Sequence, residues 1–336
     1  MSIFIFEASP FDHKYLSEHL PDEDLVFSPD PLKDTAQLAG RWDDVEALSV
    51  FVHSRVDAAI IDCLPNLKLV ATRSTGFDHI NVPSCESRGI PVTTVPTYGE
   101  NTVAEHTFAL ILALSRNIHK AYNRTAAGDF SLEGLQGFDL KGKTIGIVGT
   151  GHIGMHAIRI AKGFSMEVLA YDPYPNPNAA DVLGYEYTTL DDLLSRSDVI
   201  SLHAPYSNAT HHMIGEHNIH LVKPGALLIN TARGGLLDTA ALLRALDEGI
   251  LRGAGLDVVE GEEVYSEEKQ LIGNPETSSE SLRMALRNLS LLKRSDLIVT
   301  PHIAFDSVEA TERILATTVE NLRALRTGIV KNTVHT

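Results

Sequence analysis

The chain has 336 residues, 43% of them hydrophobic and 21% charged, a balance typical of globular proteins and long enough for two domains. With 28 Lys+Arg against 44 Asp+Glu its formal charge is -16, which repels nucleic acid and anionic lipid. Two cysteines, Cys63 and Cys85, exclude a disulfide framework, lack the spacing of a metal site and suit a reducing, cytoplasmic compartment.

The opening segment, MSIFIFEASPFDH, has a short apolar run and then turns acidic. Without a basic leader or a small-residue cleavage site it reads as a first strand, not a signal peptide. Apolar runs at 2–6, 47–51, 67–71 and 91–93 predict strands of a first α/β unit. From Asn101, NTVAEHTFALILALSRNIHKAY carries apolar residues at helical spacing, which predicts one long helix between two units. Its continuous apolar stretch, 108–114, is far below the ~20 residues that span a bilayer.

A glycine-containing polar loop at 126–143 precedes a second series of strands, predicted at 144–148, 167–171, 199–202, 226–230, 253–257 and 297–300. Strands alternating with helical patterns predict a parallel sheet, and six with this rhythm match a complete dinucleotide-binding domain. The polar, charged segment 263–295 breaks the rhythm and is too long for a simple connection, so it is a functional excursion or a surface insertion. One amphipathic helix is predicted at 307–325.

The first strand of the second series runs into Gly149, Gly151 and Gly154 in GxGxxG spacing, with a helical pattern from His152 and Ile153. Alone this pattern is weak. Here the next strand ends at Asp172, 23 positions past Gly149 and close to the roughly 20 of a βαβ nucleotide unit. Gly149 permits the turn, Gly151 clears space for a pyrophosphate, and Gly154 lets helix and strand approach. Asp172 would accept hydrogen bonds from the ribose hydroxyls and repel a 2′-phosphate, favouring NAD over NADP.

Three side chains fall just after predicted strands, where ligands bind in open α/β sheets. They are Arg233 in NTARGG, Glu262 in GLDVVEGEE and His302 in VTPHIAF. A guanidinium clamps a carboxylate, an imidazole passes a proton, and a carboxylate keeps that imidazole charged: the set suits hydride reduction of a keto acid. The flanking Gly234 and Gly235 suggest that a ligand comes close to Arg233.

GTGHIG, NTARGG, LDVVEGE and PHIAF, in this order and preceded by TRSTGFDHI, resemble the D-isomer-specific 2-hydroxyacid dehydrogenase family, and its D-lactate dehydrogenase branch most. The resemblance spans nearly the whole chain. It implies an α/β protein of two doubly wound parallel-sheet domains with the active site in the cleft: a flavodoxin-like substrate domain (1–100 with 303–336) and a Rossmann NAD-binding domain (101–302). It implies that Arg233 binds the substrate carboxylate and carbonyl, that His302 donates the proton, and that Glu262, chosen over Glu260 and Glu263, hydrogen-bonds the histidine. Asp257 would contact the nicotinamide end, while His203, Ala204, Pro205, Thr231 and Ala232 would lie along the cofactor. The backbone of Thr75 and Gly76 would hold the substrate carboxylate, and Tyr98 and Phe305 would wall the pocket.

His53, in the loop FVHSRVD, stands where lactate-type relatives look aromatic and suits a substrate with an extra hydroxyl or carboxylate. No metal is expected, no regulatory domain is expected after Thr336, and a homodimer is implied by resemblance. The competing reading is an NAD(H)-sensing corepressor or scaffold of the same fold.

Overall fold

The computed structural model describes residues 1–38, 40–261, 289–328 and 330–334. The chain forms two compact units, Met1–Tyr98 with Ser307–Thr336 and Gly99–Asp306. The first begins with β1 (Ser2–Ile5), α1 (Pro10–His19), β2 (Asp24–Phe27), β3 (Ala47–Val50), α2 (Ala58–Asp62), β4 (Leu69–Thr72), α3 (Val82–Ser87) and β5 (Val92–Thr93). The second contains α4 (Glu100–Ser115), α5 (Ile118–Ala126), β6 (Thr144–Val148), α6 (His152–Gly163), β7 (Glu167–Tyr171), α7 (Pro177–Leu183) and β8 (Glu186–Tyr187). It continues through α8 (Leu190–Arg196), β9 (Val199–Leu202), β10 (Ala226–Asn230), α9 (Thr239–Asp247), β11 (Leu251–Leu256) and β12 (Leu297–Val299). The chain returns to the first unit as α10 (Val308–Thr327) and β13 (Thr333–Val334).

In the first unit the strand order is β13-β5-β4-β3-β1-β2, parallel except for β13, which runs antiparallel to β5. The order from β2 to β5 is the flavodoxin-like one. Every residue of β3 and β4 is buried, as required of a parallel sheet covered on both faces. Leu315, Val319 and Leu322 of α10 pack with Ile3 and Ile5 on one face; Phe4, Leu48, Ile60 and Ile61 fill the other. Ser307 caps α10 by accepting the Ala310 N–H at 3.1 Å.

The sheet of the second unit runs β12-β11-β10-β9-β6-β7-β8, parallel throughout. From β6 the chain builds outward through β7 and β8, then crosses back to β9 on the other side. The carboxyl ends of β6 and β9 therefore mark the switch point of a doubly wound sheet. Two apolar layers cover its faces, one including Leu202, Leu228 and Leu256 and the other Ile145, Ile147 and Ile229.

Two expectations need correction. The second sheet has a seventh strand, β8, whose two residues are too few to show a period. The helix from Asn101 is two helices, because Asn117 adopts φ 53. Its side-chain amide donates to the carbonyls of Leu135 (3.3 Å) and Gln136 (3.2 Å), and Ser115 O accepts the Phe138 N–H at 2.9 Å. A segment remote in sequence thus takes up the polar groups that a continuous helix would have used.

Candidate active site

The glycine turn after β6 has the geometry of a phosphate cradle. Gly149 has φ 97, and a Cβ there would meet the His203 carbonyl and the Ala204 N at 2.8 Å. A Cβ at Gly154 would overlap the carbonyl oxygen of Gly149, so strand and helix approach as closely as the backbone allows. Around Gly151 the space is open, and this residue starts α6 with no side-chain cap on the first-turn N–H groups. The residues therefore fit a pyrophosphate at the helix start, next to the exposed side chain of His152. Ile153, by contrast, packs at the edge of the apolar layer behind the turn.

Asp172 follows β7 and anchors this turn. Its Oδ2 accepts the Thr150 N–H at 2.7 Å and the Thr150 hydroxyl at 3.0 Å, and its Oδ1 accepts the Tyr174 N–H at 2.9 Å. The Thr150 hydroxyl also lies 2.8 Å from Tyr187 Oη, so β8 supports the same loop. Neither Thr150 nor Tyr187 stands out in the sequence, since their association depends on the β7–β8 pairing.

After β9, His203 bonds Ser201 Oγ at 2.9 Å, and its N–H donates to Val148 O at 2.7 Å. The residue keeps some exposed surface, but desolvation of the ring pushes its pKa from 6.5 to about 4. The unfolded chain therefore takes up this proton first as pH falls. Stability from the neutral ring is complete above about 6.5, declines towards 4 and is level below that. The full loss should be roughly 3 kcal/mol. Urea unfolding of the wild type and His203→Gln at pH 7 and pH 4.5 checks this: the wild type should lose more. Parallel losses would mean that the ring is not enclosed.

Arg233 follows β10 at ψ 140, in extended backbone, and its Nη1 donates to Ala232 O at 2.8 Å. Asn230, fully buried, shapes the turn by accepting the Ala232 N–H at 3.0 Å and donating to Arg233 O at 2.9 Å. Thr231 Oγ1 lies 2.9 Å from Thr107 Oγ1 of α4. The glycines after Arg233 answer to the protein rather than to a ligand. A Cβ at Gly234 would overlap the Val259 backbone, and one at Gly235 would meet the Tyr206 ring at 2.6 Å. Glu260, beside Val259, pairs with His212 Nε2 at 2.6 Å.

His302 follows β12 with φ 55, a left-handed conformation uncommon outside glycine, though histidine, asparagine and aspartate adopt it more readily than other residues. Asp257, after β11, sustains it. The His302 N–H donates to Asp257 O at 2.9 Å. The Asp257 carboxylate accepts the Ile303 N–H at 2.9 Å, the Ala304 N–H at 2.8 Å and the Thr300 hydroxyl at 2.5 Å. This carboxylate is fully buried. The group expected to face the nicotinamide thus holds the histidine turn and, beside it, Phe305. His106 of α4 joins the support, with Nε2 at 3.1 Å from Thr300 Oγ1 and 3.5 Å from Asp257 Oδ1. A histidine within a largely apolar helix gave no sign of this role. Glu262 lies outside the described residues, as does most of the 263–295 segment.

In the first unit the expected substrate residues also follow strand ends. His53 is exposed after β3, and Thr75 and Gly76 come after β4. The Thr75 hydroxyl donates to Val95 O at 2.8 Å, so its side chain is engaged within the unit. The Tyr98 carbonyl accepts Arg313 Nε of α10 at 2.6 Å.

A glycine cradle at the switch point of a doubly wound sheet, with a guanidinium and an imidazole after β10 and β12, suits a dinucleotide-dependent oxidoreductase. Comparison with known proteins gives the family. The NAD-binding domain of D-isomer specific 2-hydroxyacid dehydrogenases matches residues 108–304. D-lactate dehydrogenase of Escherichia coli strain K12 is 35% identical, with 98% of each chain covered. A glyoxylate reductase of Thermococcus litoralis is 37% identical over 85% of this chain and 82% of its own. The structure of Aquifex aeolicus D-lactate dehydrogenase complexed with NAD and lactic acid superposes with a TM-score of 0.87, at 37% identity over 99% and 98% of the chains. The chain belongs to the D-isomer specific 2-hydroxyacid dehydrogenases, and it is an NAD-dependent enzyme that acts on CH–OH groups.

Proposed function

We propose that the protein reduces a short 2-keto acid to the D-2-hydroxy acid with NADH, and runs the reverse reaction, in the manner of a D-lactate dehydrogenase. The observation that carries this reading is the placement of Arg233 and His302 at one edge of one sheet, after β10 and β12, with only β11 between them. Bound NAD supplies or takes the hydride. Gly149, Gly151, His152, Ile153 and Gly154 would hold its pyrophosphate, and Asp172 its ribose hydroxyls. His203, Ala204, Pro205, Thr231 and Ala232 would run along it.

On this reading Arg233 pairs with the substrate carboxylate and polarises the carbonyl. His302 delivers its proton to the carbonyl oxygen as the hydride reaches carbon, and recovers a proton from solvent afterwards. Glu262 would hydrogen-bond the imidazole and favour its charged form. Backbone N–H groups of Thr75 and Gly76 would bind the carboxylate, with His53, Tyr98 and Phe305 shaping the pocket.

Purified protein should oxidise NADH with at least one of pyruvate, 2-ketobutyrate, hydroxypyruvate and glyoxylate, followed by absorbance. No turnover on any of them between acidic and alkaline pH, with NADH still bound, would favour a scaffold that senses the dinucleotide. We also infer a homodimer formed through the second unit. Among the described residues α5 buries no side chain, and Ile118, Tyr122, Phe130 and Leu132 stand 54%, 73%, 79% and 83% exposed. An apolar surface of this kind fits a second copy of the chain. Light scattering should give about twice the chain mass of 36.6 kDa, and a monomer mass at micromolar concentration would refute the assignment.

A further inference from the structure

The first unit contains a partly buried ionic arrangement, Glu7 with the buried Arg73, outside the groups assigned to hydride transfer. Glu7, just after β1, has φ 55, and its backbone N–H donates to Asp30 O at 3.1 Å. Its carboxylate reaches the loop that follows β3. Oε1 accepts the N–H groups of Phe51 (3.1 Å) and Ser54 (2.8 Å) and the Ser54 hydroxyl (2.5 Å). Oε2 accepts the N–H of His53 at 3.0 Å. One carboxylate thus binds nearly the whole loop backbone, in the way that a turn binds a free anion.

Arg73, just after β4 and fully buried, completes the arrangement. Its guanidinium donates to Phe6 O at 2.6 Å, Glu7 O at 2.9 Å and Ser49 Oγ at 3.0 Å, and lies 5.9 Å from the centre of the Phe51 ring. Burial disfavours its charge, while the negative charges of Asp12 and Glu7 favour it. Strands β1, β3 and β4 are neighbours, so a cation and an anion together fix three adjacent carboxyl ends. Those ends carry His53 on one loop and Thr75 and Gly76 on another. Hydrogen bonds to charged groups are among the stronger ones in proteins, and a loop held by four has little freedom to adjust.

We propose that Glu7 is a positioning residue for substrate choice: its carboxylate fixes the Phe51–Ser54 backbone and so decides where the exposed His53 side chain meets the variable end of a 2-keto acid. The inference rests on the proposed keto-acid reaction. A rigid loop discriminates between substrates differing by one hydroxyl, whereas a loose one lets the pocket adapt to either.

The test uses the full-length enzyme with NADH and two keto acids that differ by a hydroxyl, pyruvate and hydroxypyruvate. Glu7→Gln places an amide N–H against backbone donors, and Glu7→Ala removes the acceptor. Both should change the ratio of kcat/KM for the two substrates by about tenfold, mainly through KM, with the NADH dissociation constant unchanged. His53→Ala should shift the ratio similarly, and the double variant His53→Ala/Glu7→Ala no further than His53→Ala alone. A ratio that stays at the wild-type value in both Glu7 variants, whatever happens to Tm, overturns the inference. Wild-type enzyme inactive on every keto acid would instead defeat the proposed function, so the two failures are distinguishable.

Discussion

His302→Ala should reduce kcat by 10³- to 10⁴-fold, the upper range for loss of a positioned general acid, while NADH binding changes little. The proton for the carbonyl oxygen would then come from water, whose pKa is poorly matched to the task. His302 sits at φ 55, where alanine is strained by about 1 kcal/mol, so this variant alone could lose activity by disturbing the turn. His302→Asn separates the causes. Asparagine tolerates the left-handed region and leaves intact the backbone bonds to Asp257, but it cannot transfer a proton. Both variants should be equally slow in single-turnover hydride transfer, with NADH fluorescence titrations near those of the wild type. If His302→Asn turned over at more than a tenth of the wild-type rate, the histidine would be a structural element of the turn.

Arg233→Ala should lower kcat/KM by about 10³-fold, roughly 4 kcal/mol of transition-state stabilisation. The loss should divide between a higher KM and a lower kcat. The guanidinium meets the carboxylate in the ground state, and its attraction for the carbonyl oxygen grows as charge develops there. Arg233→Lys should recover part of KM and little of kcat, because an ammonium restores charge without the planar fork that engages two oxygens. The bond from Nη1 to Ala232 O orients the guanidinium, and the Asn230 bonds hold the backbone of the turn beneath it. Steady-state kinetics on the best keto acid decide the point. An unaltered KM in Arg233→Ala would place the carboxylate elsewhere.

The two residues differ in how they are supported, and this explains why the site was only partly visible beforehand. Arg233 and its Asn230 belong to one short run, NTARGG, so the turn carries its own stabilising contacts. The His302 turn depends on Asp257 at the end of another strand and on His106 from a helix far earlier in the chain. Neighbours on adjacent parallel strands are separated by whole crossovers, and no local pattern connects them. Gly234 and Gly235 teach a related lesson. They resembled a ligand approach, whereas Val259 and Tyr206 occupy the space a Cβ would need.

Taken alone, the amino-acid order determined the alternation of strands and helices, the glycine turn with its acidic partner, and the strand ends bearing Arg233 and His302. Each of these is written within about thirty residues, the scale of one βαβ unit. Tertiary structure decided where the long helix breaks at Asn117, which strand Glu186–Tyr187 joins, what holds His302 in its left-handed turn, and how Glu7 and Arg73 fix the loop of His53. These outcomes come from buried polar groups finding partners across the sheet. Such partners are chosen by the requirement that no buried donor or acceptor be left unpaired, a condition that exists only once the chain has folded.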